Sequence, residues 1–221
     1  MKSNCDSETC QIQQYKMPVD LVVATRNRKK LTEIRDLLAD LDFNVLSIKD
    51  FARIPEIEED GDTFEENARK KAVQIAQMTK RLTLADDSGL EIDYLNGDPG
   101  VRSARFAGDN ATDEDRNRKV LNLLKGVPPS ERKARFRCAI AIATPDIRVK
   151  VVTGACEGEI ALQPRGNEGF GYDPIFIVPA YGKTFAELGS EKKNQISHRA
   201  VALKKAKELL RASEWSVTSD G

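Results

Sequence analysis

In LADDSG, Leu84 to Gly89, two adjacent aspartates end an apolar run. Successive side chains of an extended strand point to opposite faces, so Asp86 and Asp87 are expected on opposite sides of a sheet. Upstream, IPEIEEDGDTF places Glu56, Glu58, Glu59 and Asp60 on one acidic loop. A hard cation such as Mg²⁺ takes one or two carboxylates together with water and phosphate oxygens, which makes Glu59 with one aspartate of the Asp86/Asp87 doublet a candidate metal pair. The doublet is also the candidate source of a catalytic base, with Asp87 turned to metal and water beside Ser88 and Asp86 bracing the other side. Taken alone, Asp-Asp-Ser-Gly has equally the composition of a polar turn.

Three further stretches carry chemistry. ATRNRKK, Ala24 to Lys30, combines Thr25, Asn27 and Lys30 at a strand-to-helix junction. Cations in a first helical turn oppose the helix dipole, so an anion such as a phosphate is expected there. The stretch has neither Walker A spacing nor GxGxxG, and a solvated N-cap explains it as well. In GNEGFGYDPIF, glycines flank Phe170 and Gly171 precedes Tyr172 and Asp173, an arrangement that lets backbone and ring approach a flat nucleobase, or simply turns the chain with Phe170 in the core. EKKNQISHRAVAL holds the only histidine, His198, beside Arg199, with Lys193 five residues earlier. Arg199 offers a planar donor fork and Lys193 a point charge.

The elements that must position these residues follow from periodicity. VDLVVAT and FNVLSI predict strands around a helix in KKLTEIRDLLADL, whose Leu31, Ile34, Leu37, Leu38 and Leu41 form one stripe. A second helix is predicted from Phe64 to Met78, capped by Asp62 or Thr63, and a third at roughly Asp113 to Leu124. LTLADD and LEIDYL predict two strands, NGDPGVRSARFAGDN a glycine-rich loop, and RFRCAIAIATPD with RVKVVTGACEGEIAL a hairpin turning near Pro145 and Asp146. After the PRGNEGFGYDPIFIVP loop and a short linker, ISHRAVALKKAKELLRA predicts a last helix with Ser197 as N-cap. Strands that first alternate with helices and later run consecutively predict an α/β fold with a mixed sheet covered by helices.

Composition narrows the partners. The 221 residues contain 35 Lys plus Arg and 35 Asp plus Glu, so no global basic field favours nucleic acid. No run approaches the ~20 apolar residues of a membrane span, and the first eighteen residues lack the apolar core of a secretory signal. Cys5, Cys10, Cys138 and Cys156 show no CxxC or zinc spacing, as expected in a reduced cytoplasm. Residues 1–18 are expected to be a disordered extension, 19–212 a single catalytic domain and 213–221 a tail.

In order and wording, ATRNRKKLTEI, TFEENARKKA, LADDSGLEID, PGVRSARFAG, GFGYDPIF and KNQISHRAVAL resemble the inosine triphosphate pyrophosphatase family, also called dITP/XTP diphosphatases, over about Val19 to Arg211. The resemblance implies a mixed, twisted central sheet flanked by helices, with two lobes around a nucleotide cleft. It implies Mg²⁺-dependent hydrolysis of non-standard purine nucleoside triphosphates (ITP, dITP, XTP) to the monophosphate and pyrophosphate, and a homodimer; Mn²⁺, which uses similar ligands, is the alternative ion. Position by position, it makes Thr25, Asn27 and Lys30 the phosphate loop, Glu59 and Asp87 the magnesium carboxylates, Asp87 the proton acceptor and Ser88 a substrate contact. Phe170, Gly171, Tyr172 and Asp173 become the base loop, Lys193 the family lysine, and His198 with Arg199 the pair that meets the base. Arg26 departs from the pattern, since many relatives have glycine there. A Maf-like pyrophosphatase for modified pyrimidine nucleotides and a nucleotide sensor without turnover are the competing readings.

Overall fold

The computed structural model describes residues 18–52, 54–212 and 215. The expected extension with Cys5 and Cys10, and the expected tail apart from Trp215, lie outside the described residues.

A seven-stranded sheet organises the chain, in the order β2-β1-β3-β4-β5-β6-β7. β1 (Val19–Val23) pairs in parallel with β2 (Phe43–Ser47) and with β3 (Leu82–Ile92). The remaining pairs, through β4 (Lys133–Ala143), β5 (Val149–Ile160), β6 (Phe176–Val178) and β7 (Lys183–Thr184), are antiparallel. The sheet is therefore mixed, as the element order predicts. Parallel neighbours need a crossover, and α1 (Arg28–Leu38) and α2 (Phe64–Thr79) supply the two that β1 requires. α3 (Asp113–Leu123), α4 (Phe185–Ile196) and α5 (His198–Arg211) complete the fold. Among the described residues no helix is long and apolar enough to cross a membrane.

Helices cover both faces of the central strands. On one face Ile34 and Leu38 of α1 and Ala202, Leu203, Ala206 and Leu210 of α5 pack on Leu21, Leu82, Leu84 and Ile140. On the other, Ala68, Ala72, Ile75 and Ala76 of α2 pack on Val22, Ala85, Ala139 and Ala141. A third cluster, around Leu90, Phe136, Phe176 and Phe185, lies toward the far ends of β3 to β5 with α3 and α4.

Two expectations are corrected. LTLADD and LEIDYL are one uninterrupted strand paired with β4 from Thr83 to Ile92, so the aspartate doublet lies within a ladder and is no turn. The linker after the aromatic loop is α4, whose single non-helical residue, Gly189 (φ 77°), breaks the apolar spacing that would have revealed it. The 100–105 part of the glycine-rich segment is a 3₁₀ turn seated on β3, where Ser103 Oγ accepts Leu90 N at 2.9 Å.

Candidate active site

The site is organised by β3, because both its faces are covered. Leu82 and Leu84 point toward α1 and α5, and Ala85 toward α2. By the pleat Asp86 continues the first face and Asp87 the second.

Asp86 is 1% exposed. Its Oδ2 receives Lys30 Nζ of α1 at 2.9 Å and Arg199 Nη2 of α5 at 3.3 Å, while Lys71 Nζ of α2 donates to its backbone carbonyl at 2.9 Å. Burial alone would raise this carboxyl, but Lys30, Arg199 and Lys71 outweigh it and hold it well below the usual range. Electrostatics thus suit Asp86 to anchoring cations and make it a poor proton acceptor.

Asp87 has the opposite surroundings. Its Oδ1 accepts Ser88 N at 2.9 Å, and its Oδ2 is buried with no partner among the described residues. Burial first and the Glu59 carboxylate second push its carboxyl up to about 6, against Lys30, Lys71 and the nearby Asn67 amide. A carboxyl near neutrality is matched to proton transfer. Ser88 does not lie beside it as expected: one pleat further on, its hydroxyl shares the Asp86 face and accepts Arg199 Nη2 at 3.0 Å.

Glu59 reaches the site on the acidic loop before α2. Lys71 pairs with its carboxylate, and Arg105 Nη2 donates to its backbone carbonyl at 3.0 Å. The loop is closed onto the helix by Asn67, whose Oδ1 accepts Gly61 N at 2.8 Å, and by a capping box between Thr63 and Glu66. Among the described residues no group of three His, Cys, Asp or Glu is placed to hold a metal. Glu59 adds to burial in raising the Asp87 carboxyl, whose Oδ2 has no hydrogen-bond partner among the described residues. That donor set fits a hard cation which takes its other ligands from water and phosphate.

At the phosphate-loop stretch, Thr25 is buried and its Oγ1 accepts Asn27 N at 3.2 Å. Asn27 is the N-cap of α1, accepting Lys29 N at 2.9 Å and Lys30 N at 3.2 Å. Its side-chain oxygen therefore satisfies two of the helix amides that the dipole argument offered to an anion. The first turn itself has no acidic residue.

The base-loop residues converge from the other side. Asp173 Oδ2 accepts Phe170 N at 2.8 Å and Lys193 Nζ at 2.7 Å. Burial raises the Asp173 carboxyl although Lys193 opposes it. Lys193 Nζ also pairs with Glu33 at 3.0 Å and stands 4.1 Å from the centroid of the Phe170 ring. Gly171 (φ 63°) takes a backbone conformation that side chains disfavour, and α3 pins it from both sides: Asp113 Oδ2 accepts its N–H at 2.7 Å and Asn117 Nδ2 donates to its carbonyl at 3.1 Å. Tyr172 is buried and donates to the Ser103 carbonyl at 2.8 Å. His198 stacks on Phe136 at 4.7 Å, and its Nδ1 is buried without a partner among the described residues. Burial, then Arg199, Lys193 and Lys30, lower its pKa well below the usual value, which favours the neutral ring. Arg199, 2% exposed, commits most of its N–H groups to Asp86, Glu33 and Ser88.

Two connected hollows result. A recess of about 150 Å³ is lined by Phe170, Tyr172, His198, Arg199 and Asp87. A more open cleft of about 980 Å³ is lined by Thr25, Arg26, Lys71, Arg105 and the acidic loop. Asn27, Lys30 and Glu59 line both, so Glu59 lies where the two meet, with Asp87 on the recess side. Every residue singled out from the sequence is thus in or beside one site. Reading the sequence missed Glu33, Asn67, Lys71, Asp113 and Asn117. Glu33 was recoverable, since it follows Lys30 by three on α1 and must share its face. The others depend on where α2 and α3 cross the sheet.

The profile of the Ham1 family matches residues 21–209. A dITP/XTP pyrophosphatase of Desulforamulus reducens is 55% identical over 190 residues, 86% of this chain and 94% of that protein. A dITP/XTP pyrophosphatase of Bacillus subtilis is 50% identical over 193 residues, 87% and 98% of the two chains. Among solved structures, a HAM1 protein from Coxiella burnetii superposes with a TM-score of 0.81 at 46% identity, covering 87% of this chain and 98% of the other. The Ham1 protein of Staphylococcus aureus does so with a TM-score of 0.79 at 41% identity, covering 88% and 100%.

Proposed function

The chain belongs to the Ham1 family, and from that premise we propose that it hydrolyses non-standard purine nucleoside triphosphates, dITP, XTP and ITP, to the monophosphate and pyrophosphate. The observation that carries the reading is Asp87, a buried carboxyl raised to about 6 in an aromatic recess that shares Asn27, Lys30 and Glu59 with a wide cleft lined by both cations and carboxylates. The names of the similar proteins, dITP/XTP pyrophosphatases, support the first two of these substrates.

A purine in the recess meets the Phe170 ring, the His198 side chain and the remaining donor of Arg199. Hypoxanthine and xanthine present an acceptor at position 6, whereas adenine presents an amino donor that a guanidinium cannot satisfy. A polar group left unpaired at that depth penalises adenine. The base and ribose thereby place the α-phosphorus at the junction and the pyrophosphate in the cleft. Asp87 orients the attacking water and takes its proton. Lys30, held in place by Asp86, meets the charge that builds on phosphate oxygens. Glu59 and Asp87 are the residues that would hold Mg²⁺, which when bound supplies Lewis-acid neutralisation of phosphate charge. Asp86 takes no part in proton transfer. The homodimer implied by the resemblance and the cytoplasmic setting expected from the cysteines belong to the same reading, and light scattering of the purified chain tests the former.

The test is a panel of ITP, dITP, XTP and ATP, with and without Mg²⁺, followed by pyrophosphate detection. Pyrophosphate from the first three, dependent on Mg²⁺ and with ATP slower by at least about tenfold, is expected. Release of orthophosphate, or equal rates for ATP, would overturn the reading.

A further inference from the structure

The cations lining the wide cleft are engaged in two different ways. Lys30 is paired with the Asp86 carboxylate and Lys71 with that of Glu59. Arg26 and Arg105 are held by backbone carbonyls instead. Arg26 Nη2 donates to Ile54 O at 2.7 Å and Arg105 Nη2 to Glu59 O at 3.0 Å, and among the described residues neither has a carboxylate partner. One comes from the β1–α1 junction and the other from the 3₁₀ turn after β3, and both grip the same acidic loop.

A carbonyl orients a guanidinium without neutralising it. Each arginine, being exposed, keeps its full charge and a free part of its planar donor fork, the geometry that suits a phosphate. Their placement adds a direction. Lys30 and Glu59 line both hollows, whereas Arg26 and Arg105 line only the cleft. With the reacting phosphorus at the junction, groups confined to the cleft face what extends beyond it. Glu56, Glu58 and Asp109 line the cleft as well, so an anion entering there meets repulsion that the two arginines offset.

We propose that Arg26 and Arg105 clamp the β and γ phosphates of the substrate and so make the cleft select triphosphates over diphosphates and monophosphates. The proposal rests on the hydrolase reading for its substrate, and its test does not depend on turnover. Calorimetric titration with inorganic pyrophosphate in the presence of Mg²⁺ is compared with titration with IMP, which does not reach beyond the junction. Arg26→Gln and Arg105→Gln are each expected to weaken pyrophosphate about tenfold, with IMP binding within about twofold of the parent. Arg26→Lys, which keeps the charge, is expected to lose less than about threefold. A residue that merely tethers the loop would behave otherwise: glutamine, still a donor to Ile54, would leave pyrophosphate affinity unchanged. Pyrophosphate affinity within about twofold of the parent in both glutamine variants, or no pyrophosphate binding by the parent, overturns the clamp. ITP turnover by the parent, measured in parallel, tests the hydrolase reading separately.

Discussion

Asp86 and Asp87 are neighbours in sequence with opposite energetics, because the strand that carries them is covered on both faces. Asp86 is stabilised as an anion by cations from α1 and α5. Replacing it by Asn strands Lys30 and Arg199 in a buried site, and Asp86→Asn is expected to cost about 3–5 kcal/mol in chemical denaturation. Asp87 behaves in reverse. Its folded-state carboxyl near 6 lies above the ordinary 3.8, so the native state holds this proton more tightly than the unfolded one. Its contribution to stability is therefore greatest below about pH 4 and falls as pH rises to 6, leaving a penalty on the order of 2–3 kcal/mol above that. In metal-free buffer at pH 8, Asp87→Asn should be more stable than the parent, with the difference closing as pH falls to about 4, while ITP turnover assayed with Mg²⁺ drops by two orders of magnitude or more. A loss of stability at pH 8 would mean that Asp87 is paired rather than strained. That the two carboxylates face opposite ways was legible from adjacency alone. Which of them is restrained and which is free was not, since it depends on Lys30, Lys71 and Arg199 arriving from three helices.

At the scale of elements, the site depends on how closely α5 lies against the sheet. A Cβ on Gly154 of β5 would stand 2.3 Å from the His198 carbonyl and 2.5 Å from Ala202 N. Both are backbone atoms of α5 and cannot turn aside. Gly154→Ala is expected to push the N-terminus of that helix outward, costing about 1–3 kcal/mol and carrying His198 and Arg199 away from Phe136 and Asp86. Thermal melts together with ITP KM check it, and an unchanged KM would show that the pair tolerates the shift. The periodic helices α1, α2, α3 and α5 were readable, down to the Ser197 cap that accepts Ala200 N at 3.2 Å. β3 was read as two strands because DDSG has turn composition, and only the partner strand shows that the ladder continues through it. α4 escaped because its buried residues, Phe185, Ala186 and Lys193, do not form an apolar stripe. One of them is a lysine held in place by Asp173 and Glu33.

Across the whole molecule, segments nearly 170 residues apart meet at one junction, as Glu33 and Arg199 do. The mixed sheet brings them together by setting β1 and β3 side by side, with α1 and α5 on one face and α2 on the other. The order of strands and helices foretold such a sheet, but it carried no information about the depth of the recess or about which loop closes it. In the proposed reaction the α-phosphorus lies between Asp87 and Glu59, with the pyrophosphate leaving through the cleft. Hydrolysis of ITP in ¹⁸O-labelled water, with mass analysis of both products, tests this most directly. Attack at the α-phosphorus puts the label in IMP and none in pyrophosphate, whereas label in pyrophosphate would contradict the account.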